Sequence, residues 1–395
     1  MRFRIRDFPY AKKKTYHGMM HPDLRSQYVH SEKILHDLRK DEKESHFSQE
    51  VLETRVYESA TILPHRFGIL TGGVCDYSGE FILNTGLHEG YDGSYQYNPG
   101  EVESKSLKKA LFLGTWSSVY GHCITDNIKK FWFLFTEEGQ NILNSPEEYD
   151  IIYVNLAGDQ RADYMQDIVL SLGLNLARFC AITSIVRYQY VIIPDNSLIL
   201  RDGVRYYTVE YKNLIDKIKN SCPNHPSFKK VYLTRSKIHD GKDFNEKSIE
   251  VEFVKKGYKV ISPEQLTFQE QVSLMKGCEQ LVSTVGSISH QVLFCSSGVS
   301  VVLLNKADYV NGYQLAINKL AQVDVMYIDS HNSLHSKPLW KGPFFLWKTR
   351  QFCQYMGIKY YSPYWSPIYY RYLGIFIWRN NIRPRISRVV KSFFL

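Results

Sequence analysis

Over residues 229–305 short β-branched runs alternate with segments of helical period. The runs fall at 231–234, 259–261, 281–285 and 299–304, with apolar residues three and four apart in between. A strand that feeds a helix before the next strand is a βαβ unit, so this half is expected to build a parallel sheet. The first half alternates in the same way. ALFLG (110–114) reads as a strand, and a helix is expected to start near Tyr120 or Gly121, with Ile124, Ile128, Phe131, Trp132 and Phe135 as its apolar stripe. From Asp150, the segments DIIYVNLA, RADYMQDIVLSLGL, ARFCAIT and VRYQYVIIP continue as strand, helix, strand and strand. The charge-dense segment 31–56 reads as a solvated or partner-facing helix, 66–84 as strands with turns, and 85–108, rich in Gly, Tyr and Asn, as a long loop, either an ordinary surface loop or one able to line a sugar site. A hinge is expected at 194–203 and a linking helix at 206–220. The fold class is therefore α/β, with Rossmann-like domains over 1–205 and 206–335, and a tail over 336–395 that packs back, toward the first domain.

In a parallel sheet, ligands sit outside the carboxyl ends of the strands. Three polar features fall at such ends: Arg235, Glu264 and the pair Gly286-Ser287. A glycine lets a phosphate approach the backbone. A helix beginning near Ile288, capped by Ser287 or Ser289, would add unpaired N–H groups and the positive end of its dipole. Arg235 offers a planar cationic fork suited to phosphate oxygens. Asn245 and Glu246 open the next helix, and Glu270 could accept from ribose hydroxyls. Each has a plainer reading as an ordinary helix start, a solvated arginine, a cap or a surface carboxylate. Together they outline a nucleotide pocket. No GxGxxG follows a strand in either half, which disfavours a dinucleotide oxidoreductase.

His122 and Asp126 are four apart, on one face of the helix expected in the first half. Such a pair could supply a general base, one member tuning the other or binding an acceptor. A capping aspartate beside a half-buried histidine gives the same pattern. A metal site would need a third ligand, which the sequence does not place, so none is expected.

The formal charge of +9 is confined to one end of the chain. No Asp or Glu follows Asp329, while 330–395 holds eleven Lys and Arg; residues 1–329 carry 38 basic against 40 acidic side chains. The same tail is crowded with aromatics, among them Trp340, Trp347, Tyr364, Trp365, Tyr369, Tyr370, Tyr372, Phe376 and Trp378. Basic charge with amphipathic aromatics suits an anionic membrane surface. Nucleic acid is a weaker rival, and a helix that merely caps the core is the plain alternative. The seven scattered cysteines, odd in number and without a CxxC, argue against a disulfide framework or zinc site and for a reducing compartment. The N-terminal MRFRIRDFPYAKKK is basic but lacks the apolar core of a secretory signal, and no run reaches the roughly 18 apolar residues of a spanning helix. A cytoplasmic protein, peripheral to the inner face of the cell membrane, is expected.

TRSK, the Asn245-Glu246 pair, GYKVISPEQLTFQEQVSLMKGCEQLVSTVGS and SHQVLF resemble, in order and spacing, the C-terminal half of glycosyltransferase family 61, the DUF563 group. Gly121, His122 and Asp126 resemble the Gly-His and following acidic residue of the same family. The sequence departs from the family pattern at Lys242, near where an arginine is usual, and at Ser289-His290, which replace a Thr-Asn pair and bear on how a donor is oriented. The resemblance implies two Rossmann-like domains facing a cleft (GT-B). It implies an inverting transfer from a nucleotide-sugar, UDP-linked by expectation, to a hydroxyl of a capsule or lipopolysaccharide glycan of bacterial type. It assigns His122 and Asp126 to catalysis, and Arg235, Asn245, Glu246, Glu270, Gly286, Ser287 and His290 to the donor. No tightly bound cofactor is implied. A pyruvyl-transferring enzyme and an inactive glycan- or nucleotide-binding homologue are the alternatives.

Overall fold

The computed structural model describes residues 25–66, 72–86, 95–102, 104–156, 163–223, 228–238, 242–331, 339 and 342–387. The basic N-terminal stretch, part of the 85–108 loop, Trp340 and the last eight residues of the tail lie outside them. The chain is mixed α/β and divides into two compact units. Among the described residues, one unit holds those within 45–223 and 268–273, and the other those within 25–44, 228–267 and 274–387.

The first unit is built on five strands: β1 (Thr54–Glu58), β2 (Lys109–Trp116), β3 (Tyr149–Asn155), β4 (Phe179–Ile182) and β5 (Tyr190–Pro194). Their order is β1-β5-β2-β3-β4, with β1 antiparallel to β5 and the remaining pairs parallel. Every residue of β2 after Lys109 is buried, as expected of a central strand covered on both faces. Phe112, Ile152, Val154, Val191 and Ile193 form the core around it. A bulge between Phe112 and Thr115, with Gly114 at φ +93°, bends the carboxyl end of β2. Residues 198–207, expected as hinge and helix start, instead form a hairpin of Leu198–Arg201 with Val204–Tyr207. Asp202 and Gly203 both have positive φ, the geometry of a two-residue turn that matches strand twist. The helix that follows spans Val209–Ser221, its first turn capped by Thr208 Oγ1.

The second unit contains β6 (Lys230–Leu233), β7 (Lys259–Ile261), β8 (Gln280–Thr284), β9 (Ser300–Asn305) and β10 (Asp324–Asp329). All are parallel in the order β7-β6-β8-β9-β10. Chain order reverses between β6 and β8, so a crevice opens at the carboxyl ends of those two strands. The core joins Tyr232, Ile249, Phe253, Val282, Leu304, Ile328 and Phe352. The segment expected as one helix over 31–56 is helical only at Glu32–Glu42, and β1 begins at Thr54. Nor is the helix merely solvated. It buries Ile34 and Leu38, and Asp41 in its last turn accepts from Arg25 Nη2 at 2.8 Å. The tail belongs to the second unit. Its helix Pro367–Ile377 buries Tyr369, Tyr372 and Phe376 in a cluster with Phe345.

Candidate functional site

In the first unit the carboxyl end of β2 leads straight to His122. The turn after the strand is fixed by its own side chains. Ser117 Oγ accepts from Val119 N–H at 3.0 Å, and Cys123 Sγ donates to Ser117 O at 2.9 Å. In the amide orientation that satisfies both of its ends, fully buried Asn127 donates to Thr115 O (3.0 Å) and accepts from Ser117 N–H (2.8 Å). The expected continuous helix is a series of short turns: Tyr120–Cys123, then 3-10 turns at Asp126–Ile128 and Phe131–Phe135. Thr125, at φ −124° and ψ −88°, breaks the first from the second. Phe131, Trp132, Phe133 and Leu134 are all buried, so no single stripe has to face the core and the 3.6 period is not required.

Across this break His122 Nδ1 lies 2.8 Å from Asp126 Oδ2. A carboxylate only accepts, so Nδ1 carries the proton of this bond and acid–base exchange falls to Nε2. The Asp126 side chain is 5% exposed and that of His122 31%, an anchored carboxylate beneath an accessible ring. Tyr211 Oη donates to Ile124 O at 2.8 Å and pins the backbone between the two. This arrangement can take a proton from a hydroxyl and stabilise the resulting imidazolium.

In the second unit Arg235 lies at the carboxyl end of β6 and Gly286 at that of β8, on either side of the crevice. Two further residues join them that the sequence reading missed. Asp243 Oδ2 accepts from Arg235 Nε at 3.0 Å, and Lys306 Nζ lies 3.0 and 3.2 Å from the two Asp243 oxygens. Lys306 directly follows β9, as Arg235 follows β6 after one residue, so the same strand-end rule could have found it. A Cβ built on Gly286 would sit 3.8 Å from Lys306 Nζ, which places the ammonium beside the glycine; the φ of +142° there also favours glycine. Burial alone would raise the Asp243 carboxyl, but Lys306 and Arg235 outweigh it and hold it below the usual carboxylate range.

The other expected donor residues are placed differently. Glu246 is 2% exposed; its oxygens accept from Arg235 N–H (3.0 Å) and Tyr232 Oη (3.2 Å), so it positions the Arg235 backbone from within the core. Asn245 is not a side-chain cap: it is left-handed, and its Nδ2 donates to Leu346 O at 2.9 Å. Glu270 is exposed on the helix Phe268–Gly277, in the part of that helix that falls in the first unit. The helix expected at Ile288 is a six-residue 3-10 helix, Ser289–Phe294, and neither Ser287 nor Ser289 caps it. Ser289 Oγ instead accepts from Gly286 N–H at 3.1 Å and faces Gly286 O and Gln314 Oε1. The Gly286 N–H is thus already paired, and cationic side chains rather than open backbone donors give this site its charge. His290 is buried, its Nε2 3.2 Å from Asn311 Nδ2, and Ser287 is half-buried beside Gly286. Thr284, the last residue of β8, is fully buried, and its Oγ1 has no hydrogen-bond partner among the described residues.

Burial, then the neighbouring Asp243, push the Glu246 carboxyl up to about 8. It is therefore neutral near pH 7, and the cluster of Arg235, Lys306 and Asp243 keeps a net positive charge. An unfolded glutamate titrates near 4.5. The stability contributed by this group is thus complete below that value and lost as pH rises through about 8. Replacing Glu246→Gln should remove this share of the pH dependence. The stability of the variant relative to the parent should rise by about 2–4 kcal/mol between pH 5 and 8.5 in urea titrations; parallel curves would show that Glu246 ionises normally.

At the ends of β9 and β10 the second unit also has a cavity of about 390 Å³, lined in part by His30, Ser31, Asp308, Asp329 and His331. These side chains largely bind each other or the chain: Asp329 accepts from His30 N–H, Ser31 N–H and Asn305 Nδ2, and His331 Nε2 lies 2.9 Å from Asp308. Among the described residues, no three or more His, Cys, Asp or Glu side chains are grouped so as to hold a metal ion. No helix among them is long and apolar enough to cross a membrane.

Residues 120–302 match the family model Glycosyltransferase 61. The match covers a little under half of the chain, starting two residues before His122 and ending within β9. It supports family 61 and with it a glycosyltransferase, an enzyme with a donor and an acceptor substrate. No curated protein matches the chain.

Proposed function

We propose that the protein is an inverting glycosyltransferase that moves a sugar from a nucleotide-sugar, UDP-linked in the first instance, to a hydroxyl of a surface-polysaccharide glycan, free or lipid-linked, in the cytoplasm. The observation that carries this reading is the Arg235–Asp243–Lys306 cluster beside Gly286, at the point where strand order reverses. A diphosphate leaving group develops negative charge as the glycosidic bond breaks, and two largely desolvated cations suit that charge. Asp243 holds both cations in place before the ligand arrives, and Glu246 fixes the backbone of one of them.

The acceptor hydroxyl would give its proton to His122 Nε2 while its oxygen bonds to the anomeric carbon. The bond from that carbon to the diphosphate oxygen breaks on the opposite face, and the electron pair leaves with the nucleotide. Asp126 steadies the imidazolium that forms. A GT-B arrangement of the two units is part of this proposal, supported by a family match that includes both His122 and Gly286.

A thermal-shift panel of UDP-, GDP- and CMP-sugars tests it. One nucleotide series should raise Tm by several degrees at concentrations far above Kd, as binding to the folded state alone requires. A response to phosphoenolpyruvate only would favour pyruvyl transfer, and silence to every nucleotide would remove the donor site.

A further inference from the structure

The tail presents a surface that glycosyl transfer does not explain. The helix Pro367–Ile377 turns one face inward through Tyr369, Tyr372 and Phe376 and leaves Ile368, Tyr370 and Ile377 exposed. A turn at Pro363–Trp365 precedes it and holds Trp365 out at 87% exposure, next to exposed Tyr364. Beyond the helix, a π-helical turn at Trp378–Ile382 carries the chain on in helical form to 387. Trp378 (50% exposed), Ile382 and Ile386 recur at intervals of four, the spacing that keeps side chains on one side of a helix. Arg379, Arg383 and Arg385 are interspersed with them and exposed.

Soluble surfaces seldom group this much bare aromatic and branched apolar area without a partner. Three partners can be weighed by chemistry. A second copy of the chain is disfavoured, because residues 330–395 contain no Asp or Glu and a two-fold contact would set arginine against arginine. Nucleic acid would use the arginines and aromatics, but gives Ile368, Ile382 and Ile386 nothing to bury against. An anionic bilayer uses all of them. Tryptophan and tyrosine settle at headgroup depth, isoleucine reaches the acyl boundary, and arginine pairs with lipid phosphate.

We infer that Trp365, Trp378, Ile382 and Ile386, flanked by Arg379, Arg383 and Arg385, form an in-plane docking face for an anionic phospholipid bilayer. Vesicle flotation of the full chain tests this without donor or acceptor, so its outcome does not depend on whether the glycosyltransferase reading holds. The protein should float with phosphatidylglycerol–phosphatidylcholine vesicles and bind phosphatidylcholine vesicles at least about tenfold more weakly. The variants W365S/W378S/I382S and R379E/R383E/R385E should each lose at least about tenfold in binding to the anionic vesicles, with Tm unchanged. Three results would overturn the inference. They are absence of the parent protein from the floated fraction, equal flotation of parent and both variants, and a parent dimer that the W365S/W378S/I382S variant converts to monomer.

Discussion

His122→Ala is expected to lower kcat by about 10²- to 10⁴-fold, the usual worth of a positioned general base. Affinity for the nucleotide-sugar should stay within about twofold of the parent, because in the proposed mechanism the imidazole acts on the acceptor hydroxyl and not on the diphosphate. The split between kcat and donor binding is the informative quantity. Asp126→Asn should fall between parent and His122→Ala, about 10²-fold down in kcat. The amide can still contact Nδ1 but no longer offers a charge to the imidazolium. Single-turnover rates alongside donor titrations check both variants. Loss of donor affinity in His122→Ala would move the pair into the donor site, and an unchanged rate would leave the 2.8 Å contact as a purely structural link.

The second large effect is expected at Lys306. Lys306→Met keeps most of the stem and removes the ammonium. The charge-assisted contact proposed to the diphosphate would then be lost, and donor Kd should rise by about 10- to 100-fold. The same change leaves Asp243, with its side chain 5% exposed, to Arg235 alone. Removing one partner of a buried ion pair commonly costs about 3–5 kcal/mol, and the remaining guanidinium should reduce that toward the lower end. The two consequences separate in a cycle with Asp243→Asn. Neutralising the carboxyl in the Lys306→Met background should return part of the stability and none of the donor affinity. Calorimetry and urea titration on the four proteins measure this. Unaltered donor affinity in Lys306→Met would remove the lysine from the ligand contact.

The strands were legible because buried parallel strands are continuous apolar runs: 231–234 corresponds to Lys230–Leu233, and 299–304 to Ser300–Asn305. The strand-end rule therefore located Arg235 and Gly286, and the interval of four located His122 and Asp126. The cluster that gives the second unit its charge was not readable in the same way. Lys306 and Asp243 are 63 residues apart, and their contact depends on sheet order, which no local pattern encodes. Glu246 reads in the sequence as a donor-site residue or as simple charge at a helix start; only the fold shows it turned inward onto Tyr232 and Arg235. Phe131–Phe135 resembled the far end of a long amphipathic helix because aromatic residues fit any period when every side is covered. The hairpin at 198–207 did carry a local signal, the Asp202-Gly203 pair, outweighed by the nearby Pro194 and the polar residues after it.

Asp329 closes β10 by accepting from the backbone of His30 and Ser31, the first of these 299 positions away along the chain. One compact unit is thus assembled from distant parts of the polypeptide, with residues 45–223, which belong to the other unit, lying between them in sequence. On the ribosome that unit cannot be completed until its last strand has emerged, so its first helix, with Ile34 and Leu38 uncovered, must wait through most of synthesis. A fragment beginning at residue 224 would lack the main-chain donors that hydrogen-bond Asp329 and the apolar side chains that helix supplies. Any attempt to isolate this unit should therefore graft residues 25–44 onto it and bridge the gap left by the excised segment.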